Sequence, residues 1–377
     1  MARVASIGLV VGLLALAGAP DGHASLHHPT DPMAIPVNAK GEPEALPFDD
    51  LRRRRLVLRN VGNEGWPLEV PDPNDPAKKL KTDRGVVKDR IDKQLKVAGR
   101  TREQSVALAV DLFRFNKPAE AASVLVGEHR RGYLGNVTLA HIATAQANPD
   151  QAVKGVDWPG AMNFLSIATD EVPPKEVPGL TPQQLAWQLK LDRGALMKFL
   201  RLRRGEARGP KLPPEDELPD RIFDVNFVNA AGAYEPGVIA PAELAKLPPD
   251  ALATVQQFVL WFPGDIRLYW LLAELYAVKG EFAAARRIMD ECVDSGHYSN
   301  RRVLVMHRVA VIKAADAKGP PPEEVLLAPP TPPPPAPVED PAPVPFSFRT
   351  VRIYFGVVAA VALFALVRAI TKKRKGA

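Results

Sequence analysis

One cysteine, Cys292, is the whole thiol content of this 377-residue chain. No internal disulfide and no paired-cysteine metal motif can form. Cys292 falls on an apolar helix face, so it reads as a small core residue rather than a reactive thiol. Also missing are a glycine-rich phosphate loop of the GK[ST] kind, an HExxH metal motif and a GxSxG nucleophile turn. Histidine is scarce, with seven copies. His27 and His28 adjoin, but a metal site needs three or four ligands and no others lie nearby. His129, His141 and His307 stand alone in expected helices. Asp294, Ser295 and His297 are neighbours in sequence, which says nothing of a triad, since triad members meet in space; they read as a helix-end turn. Asn136-Val137-Thr138 matches a glycosylation sequon, which by itself assigns no function. No catalytic, cofactor-binding or metal-binding residue is expected. An enzyme acting on cell-wall material is the remote alternative.

Proline, in contrast, is abundant: 39 residues. Together with the Ala and Arg content it points to a GC-rich bacterial source. Thirteen of the prolines fall within 319–346, including four in a row at 332–335. Such a stretch favours polyproline II and builds no core; at about 3.1 Å per residue it reaches roughly 85 Å. It is expected to be a spacer.

Both ends carry membrane signals. Residues 1–24 read as a secretory signal peptide: Arg3, a short apolar run from Val4 to Ala19, then small residues at Gly22-His23-Ala24. An uncleaved anchor is the alternative. At the far end, Ile353 to Val367 has no charged residue, and Arg368 can snorkel to extend the span to Ile370. Arg368, Lys372, Lys373, Arg374 and Lys375 outnumber Arg349 and Arg352 on the other flank, which places the tail in the cytoplasm. The expected protein is single-pass in the inner membrane, with its body on the periplasmic side.

That topology accounts for the charge. The chain is +6 overall. Leaving out 1–24 (one Arg, one Asp) and 347–377 (seven basic, no acidic) leaves 41 basic against 42 acidic residues. The basic excess belongs to the tail, so it is no argument for nucleic-acid binding.

Between these ends, residues 25–82 look extended and poorly packed, with scattered prolines and the arginine run Arg52–Arg55. That run reads as a solvated segment or a helix lying on the domain, or else a contact for an acidic surface. Residues 83–208 read as helical. Thr101 with Gln104 resembles a capping box. Val106, Leu108, Ala109, Leu112 and Phe113 make an apolar face, and a returning helix follows Pro118. Further helices are expected at 139–147, 158–168 and 182–203. Residues 209–249 break the rhythm. A proline-rich connector leads into an apolar–polar alternation with a turn at Ala230–Gly232, a β-hairpin-like insertion acting as a packing plug or a binding loop. Helices are again expected at 250–262 and 301–317.

The clearest stretch is Asp265–Ser299. Ile266, Tyr269, Leu272, Ala273, Tyr276 and Ala277 share one helix face. Gly280 suits a left-handed helix end. Phe282, Ala285, Ile288, Met289 and Cys292 form the face of a second helix, and Ala273 and Ala285 are small where two helices must cross closely. This spacing resembles the tetratricopeptide repeat, whose pattern has an aromatic, Leu-Gly and Tyr in the first helix and Ala, Phe and Pro in the second. Met289 stands where the family often has Phe, and His297 where it often has Pro. Ala143, 34 residues after Ala109, is a weaker hint of the same period.

The resemblance, clearest over 265–299, implies helical-hairpin repeats over 250–318; with the helical domain read at 83–208, the expected fold is all-α. The resemblance also implies an inner groove that binds peptides or proteins. The residues facing that groove would be Arg267, Trp270 and Glu274, then Arg301, Leu304 and Arg308. Trp and Arg are common interface anchors. The family's carboxylate clamp uses Lys and Asn at the places held here by Trp270 and Glu274, which argues against that mode. The expected function is a membrane-anchored periplasmic scaffold for other envelope proteins or peptides. The alternative is a structural or assembly factor of an envelope or secretion complex. Nothing fixes its oligomeric state.

Overall fold

The computed structural model describes residues 34–126, 132–145, 158–177, 179–208, 219–294 and 302–318. The expected signal peptide, proline-rich spacer and membrane segment lie outside them. Among the described residues no helix is long and apolar enough to cross a membrane. All of the described residues belong to one compact unit.

That unit is mostly helical. Its first elements are helix α1 (Phe48–Gly62), strands β1 (Glu69–Asp72) and β2 (Asp75–Lys81), and helix α2 (Asp83–Leu95). Then come α3 (Arg102–Arg114), α4 (Pro118–Val126), α5 (Gly132–Ala145) and α6 (Trp158–Asp170). Helix α7 (Pro182–Leu191) runs through a π-helical turn at 192–196 into α8 (Met197–Arg208). The short α9 (Pro241–Leu244) precedes α10 (Ala251–Trp261), α11 (Ile266–Val278), α12 (Phe282–Asp294) and α13 (Arg302–Ala317).

Local chemistry sets several of these boundaries. Thr101 and Thr181 each close a full capping box, with Gln104 and Gln184 reaching back to the cap. Asp265 caps α11 by accepting from the Leu268 amide. Gly280 stands at φ +78° just beyond α11, where a side chain would strain the backbone.

From α2 to α6, each helix packs on the next, and α3 also meets α5. From α10 to α13 the same holds. An aromatic seam ties α10 to both the first run and α8: His141 of α5 lies 4.8 Å from Trp261, and Phe199 of α8 lies 5.5 Å from Phe258 and 5.3 Å from Phe262. Ala273 and Ala285 are fully buried, as close helix crossing requires.

The expectation of an unpacked segment at 25–82 is corrected by α1 and by its leading strand-like stretch. Ala34, Ile35 and Leu46 are buried. The Leu46 amide donates to Gln256 Oε1 at 2.7 Å, and Gln256 Nε2 donates back to the Leu46 carbonyl at 2.9 Å. The Ile35 amide donates to Gln257 Oε1 at 2.9 Å. Two buried glutamines of α10 thus hold the N-terminal stretch as a neighbouring strand would. Helix α1 buries Leu51, Arg55, Leu58 and Val61 against α2, α3 and α10. The arginine run therefore belongs to a packed helix, one of whose guanidiniums is part of the core.

The 209–249 insertion is irregular over its described part, as expected. The turn at Asn229–Ala233 forms, with the Gly232 amide donating to the Asn229 carbonyl at 2.9 Å. Paired strands do not flank it: only a single bridge, Glu235 with Val238, occurs in the described part.

Candidate interaction site

Trp270, the expected anchor of an open groove, is 1% exposed. The leucine- and aromatic-rich face of α11 is buried on every side, and its one carboxylate, Glu274, is 1% exposed as well. Three donors satisfy that carboxylate. Trp270 Nε1 donates to Oε1 at 2.8 Å, one helical turn away. His307 Nδ1, from α13, lies 2.7 Å from the same oxygen, which selects the tautomer with its proton on Nδ1. The Tyr234 hydroxyl, from the insertion, donates to Oε2 at 2.8 Å. The Tyr234 ring also lies flat on His307, with centroids 3.5 Å apart. Burial and the adjoining Glu274 charge push the Tyr234 phenol far above its ordinary pKa, so it remains a donor.

The surface that the repeat resemblance implies for a ligand is therefore filled by this chain's own insertion. Gly237 allows the close fit: it sits at φ +79°, and a Cβ there would approach the Ala277 carbonyl to 2.8 Å.

The remaining groove candidates are also engaged. Arg267 makes a two-pronged bond to Glu206, at 2.9 and 3.0 Å. Glu206 also meets Arg203, which in turn holds Asp220 at 2.6 Å and Asp265 at 2.8 Å. This network ties α8, the start of the insertion and the cap of α11 together. Leu304 is buried. Arg308 pairs with Asp290 of α12. Arg301 lies outside the described residues. Of the five described candidates, Trp270, Glu274 and Leu304 are buried and Arg267 and Arg308 are paired, so they line no open cleft. Tyr234 and His307 were missed because each comes from another element; the only sequence signal was an aromatic inside an otherwise small-residue turn.

A different surface has the character of a contact site. Trp66 and Leu68 are each 41% exposed, on the turn between α1 and β1. That turn is held rigidly. The Thr82 hydroxyl donates to the Pro67 carbonyl at 2.7 Å, and the Thr82 amide donates to the Leu68 carbonyl at 3.0 Å. Gly85 of α2 lies so close beneath that a Cβ would run into the Leu68 carbonyl. The β1–β2 hairpin beyond is exposed along almost its whole length.

Among the described residues no group of three or more His, Cys, Asp or Glu is placed to hold a metal ion. No protein-family model, curated protein or solved structure matches the chain.

Proposed function

We propose that this chain is a membrane-anchored, periplasmic interaction scaffold built on a tetratricopeptide-like helical array. The observation that carries the reading is the Trp66–Leu68 turn. It offers a tryptophan and a leucine to solvent on a backbone fixed by Thr82 and by close packing on Gly85. A rigid exposed aromatic loses little entropy when a partner covers it, which is what an interface anchor needs. Anchoring rests on the apolar segment 353–370 and its basic tail, and export on residues 1–24. The repeat reading is supported by the buried small pair Ala273 and Ala285 and by the left-handed Gly280 between their helices.

The test is crosslinking of the intact protein in its own host, with detergent extraction and identification of what co-purifies. A Trp66→Ala/Leu68→Ala variant runs in parallel. Loss of a partner at unchanged helix content supports the scaffold. Retention of every partner moves binding elsewhere.

A permanent structural role in an envelope or secretion complex is the second reading. The self-filled face around Trp270 favours it, since that surface offers nothing to a transient ligand. A fixed stoichiometry of co-purifying subunits would select it.

A further inference from the structure

Residues 228–240 of the insertion form a loop that bonds mainly to itself. The Ala240 amide donates to the Val228 carbonyl at 2.8 Å and closes its neck. Inside, the Asn229 amide donates to the Ala233 carbonyl at 2.8 Å, and Asn229 Oδ1 accepts from the Ala231 and Ala233 amides at 3.0 and 3.1 Å. The Val238 amide donates to the Glu235 carbonyl across Pro236-Gly237. Proline followed by a glycine at positive φ is the pattern of a type II turn. Among the described residues, the one hydrogen bond from this loop to helices α10–α13 is that of Tyr234 to Glu274.

Below the neck the insertion is fixed. Phe227 is buried, the Asn226 amide donates to Glu243 of α9 at 2.7 Å, and the Lys246 ammonium donates to the Asp224 carbonyl at 3.2 Å. The loop is therefore a preformed unit on a fixed base. Its hold on the array is the Tyr234 bond, the stacking on His307, the seat of Gly237 and the partly buried Ile239.

We propose that this loop is a removable plug, and that the seat beneath it on α11 and α13 binds a tyrosine-bearing turn of a partner protein. The loop itself displays the chemistry the seat accepts. Trp270 and His307 serve Glu274 Oε1, and Oε2 takes a phenol hydroxyl. The flat face of His307 takes the phenol ring. Three residues after the tyrosine, a Cβ would lie 2.8 Å from the Ala277 carbonyl and 3.0 Å from the Phe282 ring. A ligand must carry glycine there. The fitting sequence is Tyr-x-Pro-Gly, in a partner as in this chain.

Release needs no unfolding. The loop's internal bonds move with it, and only the backbone beside the neck, at 227–228 and 240–241, has to turn. Closed, the face offers nothing to a ligand. Open, it offers a buried acceptor that lacks one donor, which favours a replacement tyrosine over an empty seat.

Titration of the full-length protein in detergent micelles tests this. The probe is a labelled peptide of residues 228–240, cyclised through a cysteine added at each end and read by fluorescence anisotropy. The receptor is a plugless variant with 229–239 replaced by two glycines, since 228 and 240 already adjoin. It is expected to bind the probe at least tenfold more tightly than the parent, whose plug must leave first. Tyr234→Phe in the probe is expected to weaken binding roughly tenfold or more, the loss of one bond to a charged acceptor. Gly237→Ala in the probe is expected to abolish it. Both changes are in the probe, so neither disturbs the receptor's fold. Equal binding by parent and plugless variant, or by all three probes, would place the peptide elsewhere and overturn the proposal. A plugless variant that fails to fold, or that keeps its helix content and binds no probe, would make the loop a packing element and overturn it too. A stable dimer of plugless variant with parent would make a second copy the source of the turn, and would also overturn it. Trp66→Ala/Leu68→Ala is expected to leave these affinities unchanged, so this site and the Trp66 reading fail separately.

Discussion

The ring of Tyr234 lies on the ring of His307 with planes 5° apart, while its hydroxyl donates to Glu274, which His307 also meets. One aromatic side chain thus connects the insertion to both α11 and α13. A buried carboxylate with all its donors in place makes a specific lock, but it is costly when any one is removed.

Tyr234→Phe keeps the stacking and removes one bond to a charged acceptor. It is expected to lower stability by about 1.5–3 kcal/mol. Glu274→Ala leaves the buried Trp270 donor and the partly buried Tyr234 and His307 donors without their acceptor and is expected to lose roughly 3–5 kcal/mol. Urea unfolding followed by tryptophan fluorescence measures both. A Glu274→Ala loss no larger than that of Tyr234→Phe would contradict the three-donor account.

Arg55 is the second buried polar anchor. Its guanidinium lies 3.7 Å from the centre of the Tyr269 ring, Nε donates to the Pro263 carbonyl at 3.1 Å, and Nη1 meets Glu291 at 3.3 Å. Arg55→Ala is expected to cost about 2–3 kcal/mol. Arg55→Lys keeps the charge but not the planar fork, so it restores only part of that. Full restoration by lysine would show that charge alone matters. The same urea titration distinguishes these.

How far these features could be read in the sequence depends on where their partners lie. The α11–α12 hairpin was legible because its signals are local: Asp265 at the cap, Gly280 at the turn, and Ala273 and Ala285 at the crossing. The Thr101 cap was legible for the same reason. Helix α1 was legible only as one of two alternatives for the arginine run, a helix lying on the domain; its burial was not, because Arg55 occupies the buried slot between Leu51 and Leu58, and an arginine there breaks the apolar pattern. Its partners, Pro263 and Glu291, are more than 200 residues away. Arg267, Trp270 and Glu274 lie on α11, and Leu304 and Arg308 on α13, as the pattern placed them; Arg301 lies outside the described residues. Their occlusion was illegible, since it depends on Tyr234 reaching over from an irregular segment. Trp66 went unnoticed among prolines, its rigidity resting on Thr82 and Gly85 further along.

Cys292 is fully buried, and burial pushes its thiol pKa up to about 12 against the opposing pull of Arg55. At pH 8 the thiolate fraction is then on the order of a thousandfold below that of an ordinary cysteine. Ellman-type labelling of the native protein is expected to proceed only as fast as unfolding, and to become rapid in urea. Fast labelling without denaturant would contradict the buried assignment.

Acid should weaken the clamp between α8 and α11. Burial of Glu206 disfavours its ionised form, but the bonds and charges of Arg267 and Arg203 outweigh that and hold its pKa below the ordinary 4.5. A depressed carboxylate contributes stability above its unfolded pKa and loses it as pH falls through the folded one. Asp220 acts in the opposite sense, since burial holds its pKa raised against the pull of Arg203. Because Glu206 is partly exposed, the effect is expected to be below about 1 kcal/mol. Stability measured between pH 6 and pH 3 is expected to fall less steeply in Arg267→Ala than in the parent. An unchanged slope would remove Glu206 from the clamp.

The central claim is that the Trp66 turn meets a partner. A photoreactive phenylalanine analogue at position 66 of the intact protein, illuminated in living cells of its host, tests this most directly. The same analogue at Val172, 86% exposed and far from the turn in sequence, is the control. The account predicts a discrete adduct with another envelope protein from position 66 and none from position 172. No adduct at 66, or the same adducts from both positions, would contradict it.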